Sequence, residues 1–395
     1  MQSFLKCWFH GACYGNKLIF PSDADNRIIS VDMETGQIDF GAELHHAYKD
    51  RQMTPFGYAG AIRIASKKIL FVPRNSENLL TFDMKTGEQA ITELELPDTM
   101  GEDPLYWENL MYQNKLSLFP LYADHILQLD MDTMQAEKRE GMIREIDLYI
   151  GKHRKPYFAA KAMYDKNQVL LAGWSENYVV RADLTLSNWH IEALENEGDE
   201  KGFRDIMVCG NYIYAVNHRF HVLQYERDNF EYVKQVKVMK ECSMVKTTED
   251  GLCFVPAFEE DFVVCNAEGN SISRIPYPED YTFLAEGEKV KANHLLAETD
   301  NYYLIARTYG NTIVKIDKKT GKVFYVPLRY GESVISYAYS QHKIFMEGKR
   351  IPNGNGLNIC ADFREFIANV GSQGRNCNEV TSNGKTIYGN LKRSL

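Results

Sequence analysis

The sequence predicts an all-β fold: a single β-propeller whose blades are four-stranded antiparallel sheets. Three observations predict it. A unit of about 47 residues recurs along nearly the whole chain, a tight hairpin of constant chemistry sits at one place in the copies, and no segment carries convincing long helical periodicity.

The first copy sets the pattern. From Asn16 to Phe40, NKLIFPSDADNRIISVDMETGQIDF reads as an apolar run, a polar loop, an alternating strand, a tight turn and another strand. The apolar run returns as KILFVP (68–73), LSLFP (116–120), QVLLAG (168–173), YIYAV (212–216), LCFVP (252–256), YYLIAR (302–307) and KIFMEG (343–348). A short run apolar at consecutive positions marks a strand buried on both faces. After each run come a polar loop and an alternating strand. That strand ends in Asp32, Asp83, Asp130, Asp183, Asp317 or Asp362, with Glu226 and Asn266 at the matching place in two copies, 40 to 53 residues apart in succession.

Three copies continue as D-x-x-T-G (DMETG, DMKTG, DKKTG), and the others keep turn formers. Asp and Thr side chains bond nearby backbone, and Gly takes the positive φ of the turn, so these Asp residues are read as structural. A further short strand precedes each central run, as in HGACYG, AIRIAS, DIMVCG and SYAYSQ, and a fourth follows the turn. Four antiparallel strands make a blade, which buries its faces only against its neighbours. Eight units predict eight blades, with seven as the alternative. A ninth half-unit, EVTSNGKTIYGNL (379–391), or the N-terminal SFLKCWF would complete a terminal blade, making residues 1–395 one closed domain without an exposed edge.

The D-x-x-T-G hairpin after an alternating strand resembles the YVTN and quinoprotein-like propeller repeats, at the level of fold superfamily. The departures are informative. Only four Trp residues exist and none repeats at the blade period, so the tryptophan docking of quinone-dependent blades is missing and no cofactor is expected. Neither a sialidase-type S-x-D-x-G-x-T-W box nor a recurrent W-D dipeptide occurs.

Composition narrows the function classes. A net charge of −9 argues against general nucleic-acid binding, which needs a basic surface to neutralise phosphates. No apolar run approaches the roughly 18 residues that cross a bilayer, so no membrane partner is expected. MQSFLKCWFHGAC makes a poor secretory signal, and the eight Cys are scattered without a C-x-x-C pair. The expectation is a reduced, cytoplasmic protein.

Ring geometry then limits the site. Loops between the second and third strands and between blades share one face around the channel, and these are the long, irregular ones. Arg74, Arg154, Arg204, Arg219, Arg307 and Arg350 come from different blades toward that face, with Trp107 and Trp174 beside them. Guanidinium forks take carboxylate or phosphate, and aromatic faces stack on sugars. The expected function is a binding or scaffold propeller for an anionic small molecule, an acidic saccharide or an acidic peptide. The alternative is a lyase or hydrolase acting on a carboxylated or phosphorylated saccharide, with His218, His294 or Tyr309 moving the proton. No metal site is expected: His45–His46 lacks a third ligand, and alternation parts His218 from His221.

Overall fold

A computed structural model of the chain describes residues 10–336 and the pair Leu5–Lys6. Residues 22–26, 46–57, 74–77, 95–104, 152–155, 196–197, 250, 259, 267, 269, 278–292, 308 and 335 lie outside the description, as do the remaining ends.

Strands one to four of each sheet pair in chain order, all antiparallel, giving seven blades over residues 12–43, 58–93, 106–139, 158–193, 203–236, 242–275 and 293–327. The first strands neighbour one another around the ring and line its axis. Burial falls outward. The central strand Lys68–Pro73 is buried at every position but the first, whereas the outer strand Gln89–Glu93 is buried at none. That gradient is why the central runs are the legible part of the sequence: both their faces meet a neighbouring blade.

The hairpins form as their chemistry requires. Asp32 Oδ1 accepts the Glu34 and Thr35 amides at 3.0 and 2.7 Å and the Thr35 hydroxyl at 2.9 Å. Asp83, Asp130 and Asp317 repeat the contact, and Gly36 has φ +70°. The backbone amide of the Thr is the largest influence holding these carboxyls below their ordinary range.

Seven apolar clusters join the blades, each spanning two neighbours. The one that closes the circle packs Leu18, Ile29 and Val31 of blade 1 on Leu304, Ala306 and Ile313 of blade 7. The Gly11 amide also donates to Leu296 O at 2.5 Å. This corrects the expectation of eight blades: the face of blade 7 that an eighth would cover is already buried against blade 1. The repeat units beyond residue 336 lie outside the described residues. Chain leaving blade 7 runs behind blade 1 instead, where Arg329–Tyr330 pairs parallel with Gln37–Glu43 as a fifth strand. Ser333 holds it there, donating to Asp39 Oδ1 at 2.8 Å and accepting from the Phe40 amide at 3.0 Å. Near the N-terminus, Leu5–Lys6 pairs with Tyr309–Gly310.

One element departs from the all-strand reading. A helix, Gly141–Ile150, stands between blades 3 and 4, ended by Gly151 in the left-handed conformation. Met142, Ile143 and Ile146 sit on one face and pack in the seam with Phe158 and Tyr178. Glu145 accepts the Trp189 indole N–H at 2.8 Å, and Asp147 accepts the Tyr157 hydroxyl at 3.1 Å. Ten residues hold too few turns for periodicity to stand out, so tertiary packing decides this helix. It is too short to cross a membrane, and no other helix of the described residues is long and apolar enough to do so.

Candidate functional site

Axial side chains come from a recurring irregularity in the first strands. In blades 2 to 6 the register slips at the start of the first strand, between Tyr58 and Gly60, Tyr106 and Glu108, Phe158 and Ala160, Phe203 and Asp205, and Cys242 and Met244. A bulge puts one extra residue on the strand and re-aims the side chains around it. In blades 3 and 5 the extra residues are Trp107 and Arg204. Phe203 is then buried between blades, and Asp205 enters the axis.

Two ion pairs cross between blades there, the first buried and the second partly so. Lys246 Nζ lies 3.0 Å from Asp205 Oδ1, and Asp205 Oδ2 accepts the Val245 amide at 2.8 Å. Burial opposes the Lys246 ammonium, but the Asp205 carboxylate overrides it and holds the group above its ordinary range. Lys161 Nζ lies 2.9 Å from Glu108 Oε2, and His10 Nε2 lies 3.8 Å from Glu108 Oε1. Burial works against the Glu108 charge, yet Lys161 and His10 outweigh it and keep the carboxyl below its usual value. Trp107 meets the His10 ring edge-on at 5.5 Å. Of this layer the sequence reading placed only Trp107 among the ligand-binding candidates. The layer's signal is polar residues interrupting apolar first strands, as in YWENLMY, FRDIMVC and CSMVKTT.

At the loop-bearing mouth, side chains from blades 4 to 7 form one connected group. His218 Nε2 donates to Trp174 O at 2.8 Å, and the two rings lie 5.1 Å apart. Because a carbonyl can only accept, the proton sits on Nε2 and the His218 lone pair is on Nδ1. Arg204 stacks on Phe220 at 4.7 Å, and Phe220 meets Phe258 edge-on at 5.3 Å. Phe258 O accepts from Arg307 at 2.9 Å, and the Arg307 guanidinium lies 4.1 Å from the Tyr277 ring centre. Trp174, Phe220, Phe258 and Tyr277 are each partly exposed.

Arg204 stands out electrostatically. Among the described residues it meets no carboxylate and no hydrogen-bond acceptor, and burial lowers its affinity for its proton. Its charge reaches both neighbouring histidines. Burial first, then Arg204, lowers His294 to about 3, with His10 adding to the effect. His218 also lies below its ordinary value, through burial and then Arg204, against the opposing Trp174 carbonyl bond and Glu200.

The candidates therefore separate. Trp174 and His218 are in contact, Arg204 rests on Phe220 two residues from His218, and His294 lies on the first strand of blade 7. Arg307 adjoins them but is 1% exposed, sealed into the wall where it supports Phe258, and not on the open rim. Arg219 points outward to pair with Glu200, its side chain 67% exposed. Trp107 belongs to the axial layer. Arg74, Arg154 and Arg350 lie outside the described residues, and for Tyr309 only the backbone is described. Asp205 pairs with Lys246 and with no arginine among the described residues. Among the described residues no three His, Cys, Asp or Glu are grouped to hold a metal ion.

Acid is expected to loosen this ring. His10, His125, His218 and His294 all stand below the ordinary 6.5 in the folded chain, burial being the largest cause in each. Below pH 6.5 the unfolded chain binds protons that the folded chain refuses, so stability falls as pH drops from 6.5 toward the folded values. Urea midpoints at falling pH should decrease across that window; a midpoint unchanged between neutral pH and pH ~4.5 contradicts this.

No family model matches the chain, and no curated protein matches its sequence. Among solved structures it is similar to virginiamycin B lyase from Staphylococcus aureus, 11% identical over 70% of this chain and 86% of that one, with a TM-score of 0.49. It is also similar to BamB from Moraxella catarrhalis, 14% identical over 76% and 83%, with a TM-score of 0.46. PorZ, a surface component of the type-IX secretion system of Porphyromonas gingivalis, is 12% identical over 82% of this chain and 39% of that one, TM-score 0.49. Likeness of this degree says nothing of activity; the propeller assignment rests on the blades themselves.

Proposed function

We propose that the protein is a ligand-binding propeller that holds a carboxylate-bearing partner, an acidic saccharide or an acidic peptide, at the mouth of its channel. One observation supports this above the others: the Arg204 guanidinium, partly buried and lying on Phe220, has no anion among the described residues to neutralise it. An arginine kept in that state is a prepared half of a charge-assisted pair. The partly exposed Trp174, Phe220 and Tyr277 rings add surfaces on which a sugar or an aromatic side chain can rest. The catalytic alternative draws on His218, a neutral imidazole with a fixed tautomer, and on His294; the binding reading uses the arginine and the aromatic rings as well.

Thermal melting with glucuronate, glucose and an Asp-rich peptide tests the proposal and separates its two ligand classes. A carboxylated probe should raise the melting temperature while glucose does not. Arg204→Gln should weaken binding of that probe by about thirtyfold or more, the effect of removing one partner of a desolvated charge pair. Arg204→Lys should recover only part of it, because the ammonium lacks the fork. Equal affinity in the parent and Arg204→Gln, or no response to any carboxylated probe, ends the proposal.

A further inference from the structure

We propose that the partner of the Arg204 site is a peptide segment in which a carboxylate stands beside an aromatic or branched apolar side chain, with Phe220 and Phe258 gripping the apolar group. This rests on the reading of Arg204 as an anion site and names which of its two ligand classes the mouth takes.

Phe220 is held in an unusual state. Its φ is +63°, the left-handed region that a bulky side chain rarely enters. Met134, Leu186 and Phe230 share that conformation, but each packs into an apolar cluster between blades, so burial offsets the strain. Phe220 joins none of the seven clusters of the described residues and stays partly exposed. Its backbone is pinned all the same: the Phe220 amide donates to Asn217 O at 3.0 Å, and Phe220 O accepts the Cys242 amide at 2.7 Å. Strain kept without a core to offset it points to what the ring faces. The Arg204 guanidinium lies 4.7 Å from the ring centre, and Phe258 of the next blade meets the ring edge-on at 5.3 Å. Phe258 is likewise partly exposed and outside every one of those clusters.

A guanidinium beside two open rings suits an anion that carries apolar surface. A saccharide demands more, because each hydroxyl withdrawn from water needs a hydrogen-bond partner. The polar side chains of the adjoining loops are engaged within the protein: Asn177 Oδ1 accepts the Gly202 amide at 2.7 Å, Glu176 pairs with Lys201 at 2.7 Å, and Glu200 pairs with Arg219. Lys201 and Arg219 are thereby taken up as well. The Arg204 charge therefore suits one acid with apolar neighbours better than a run of acids.

Calorimetric titration with three probes tests this: a capped peptide with one Asp between two Phe, the same peptide with Ser in place of Phe, and glucuronate. The Phe-flanked peptide should bind about tenfold or more tightly than either of the others, the effect of burying an aromatic side chain. Phe220→Gly should weaken it by a similar factor while the melting temperature stays at or above that of the parent, because glycine takes the left-handed backbone without strain. A phenylalanine with a purely structural role would instead lower the melting temperature and leave affinity alone. Phe258→Ala keeps the carbonyl that Arg307 uses, and should weaken the Phe-flanked peptide while sparing the Ser-flanked one. Equal affinity for the two peptides, tighter binding of glucuronate, or parent-like affinity in both ring variants overturns this choice of partner and leaves the anion site standing. Binding of none of the three probes overturns both.

Discussion

Asp205→Ala is expected to cost about 3–5 kcal/mol of stability, the penalty for leaving a buried charge without its partner. Lys246 and Asp205 side chains are only 6% and 11% exposed, and their contact bridges blades 5 and 6 at the axis. Removing the carboxylate strands the ammonium, and the Val245 amide loses its acceptor as well. Urea denaturation with an unchanged slope and a lowered midpoint would measure the loss. The double variant Asp205→Leu with Lys246→Met should recover most of it, because the attraction within a buried pair barely exceeds its desolvation cost. A loss under about 1 kcal/mol in the single variant would show that the pair is solvated and the axis open.

Gly202→Ala is the second large effect, and it links stability to the site. Gly202 has φ +77°, and a Cβ there would lie 1.6 Å from Trp174 O and 2.5 Å from its carbonyl carbon. Both obstacles are backbone, so one of the two loops must move. The Gly202 amide also donates to Asn177 Oδ1 at 2.7 Å, which ties the same loops together. Strain of about 1–3 kcal/mol is expected from the conformation alone, with the displacement adding to it. Gly87→Ala supplies the comparison: φ is +76° there, and nothing lies within 4 Å of the added carbon. Gly202→Ala should therefore cost at least about twice as much as Gly87→Ala. It should also weaken the carboxylated probe, because Trp174 O is the anchor of His218. Equal losses in the two variants would mean that the Trp174 loop yields freely.

Much of the fold is legible along the chain because a blade is a local object. The central runs are apolar at consecutive positions since both faces meet a neighbour, and the D-x-x-T-G turn closes on itself within five residues. Arg204, Trp174, His218 and His294 are also legible as members of one face, because blade topology assigns every such loop to the same end of the ring. Arg307 shows the limit. Its residue type matches that of Arg204 and the sequence directs it to the same loop-bearing face, yet it ends a second strand and is buried against Tyr277, whereas Arg204 meets no anion among the described residues.

Repetition, strand order and turn chemistry are properties of adjacent residues, and the sequence by itself determined them: four-stranded antiparallel blades about a common axis. Blade number, the helix at 141–150 and the charge layer at the axis were decided only by tertiary structure. Closure at seven depends on blade 1 covering blade 7, a contact between segments nearly the whole described chain apart. The partner of each buried charge depends on which bulged strand lies beside which, and that is set by the packing of the ring.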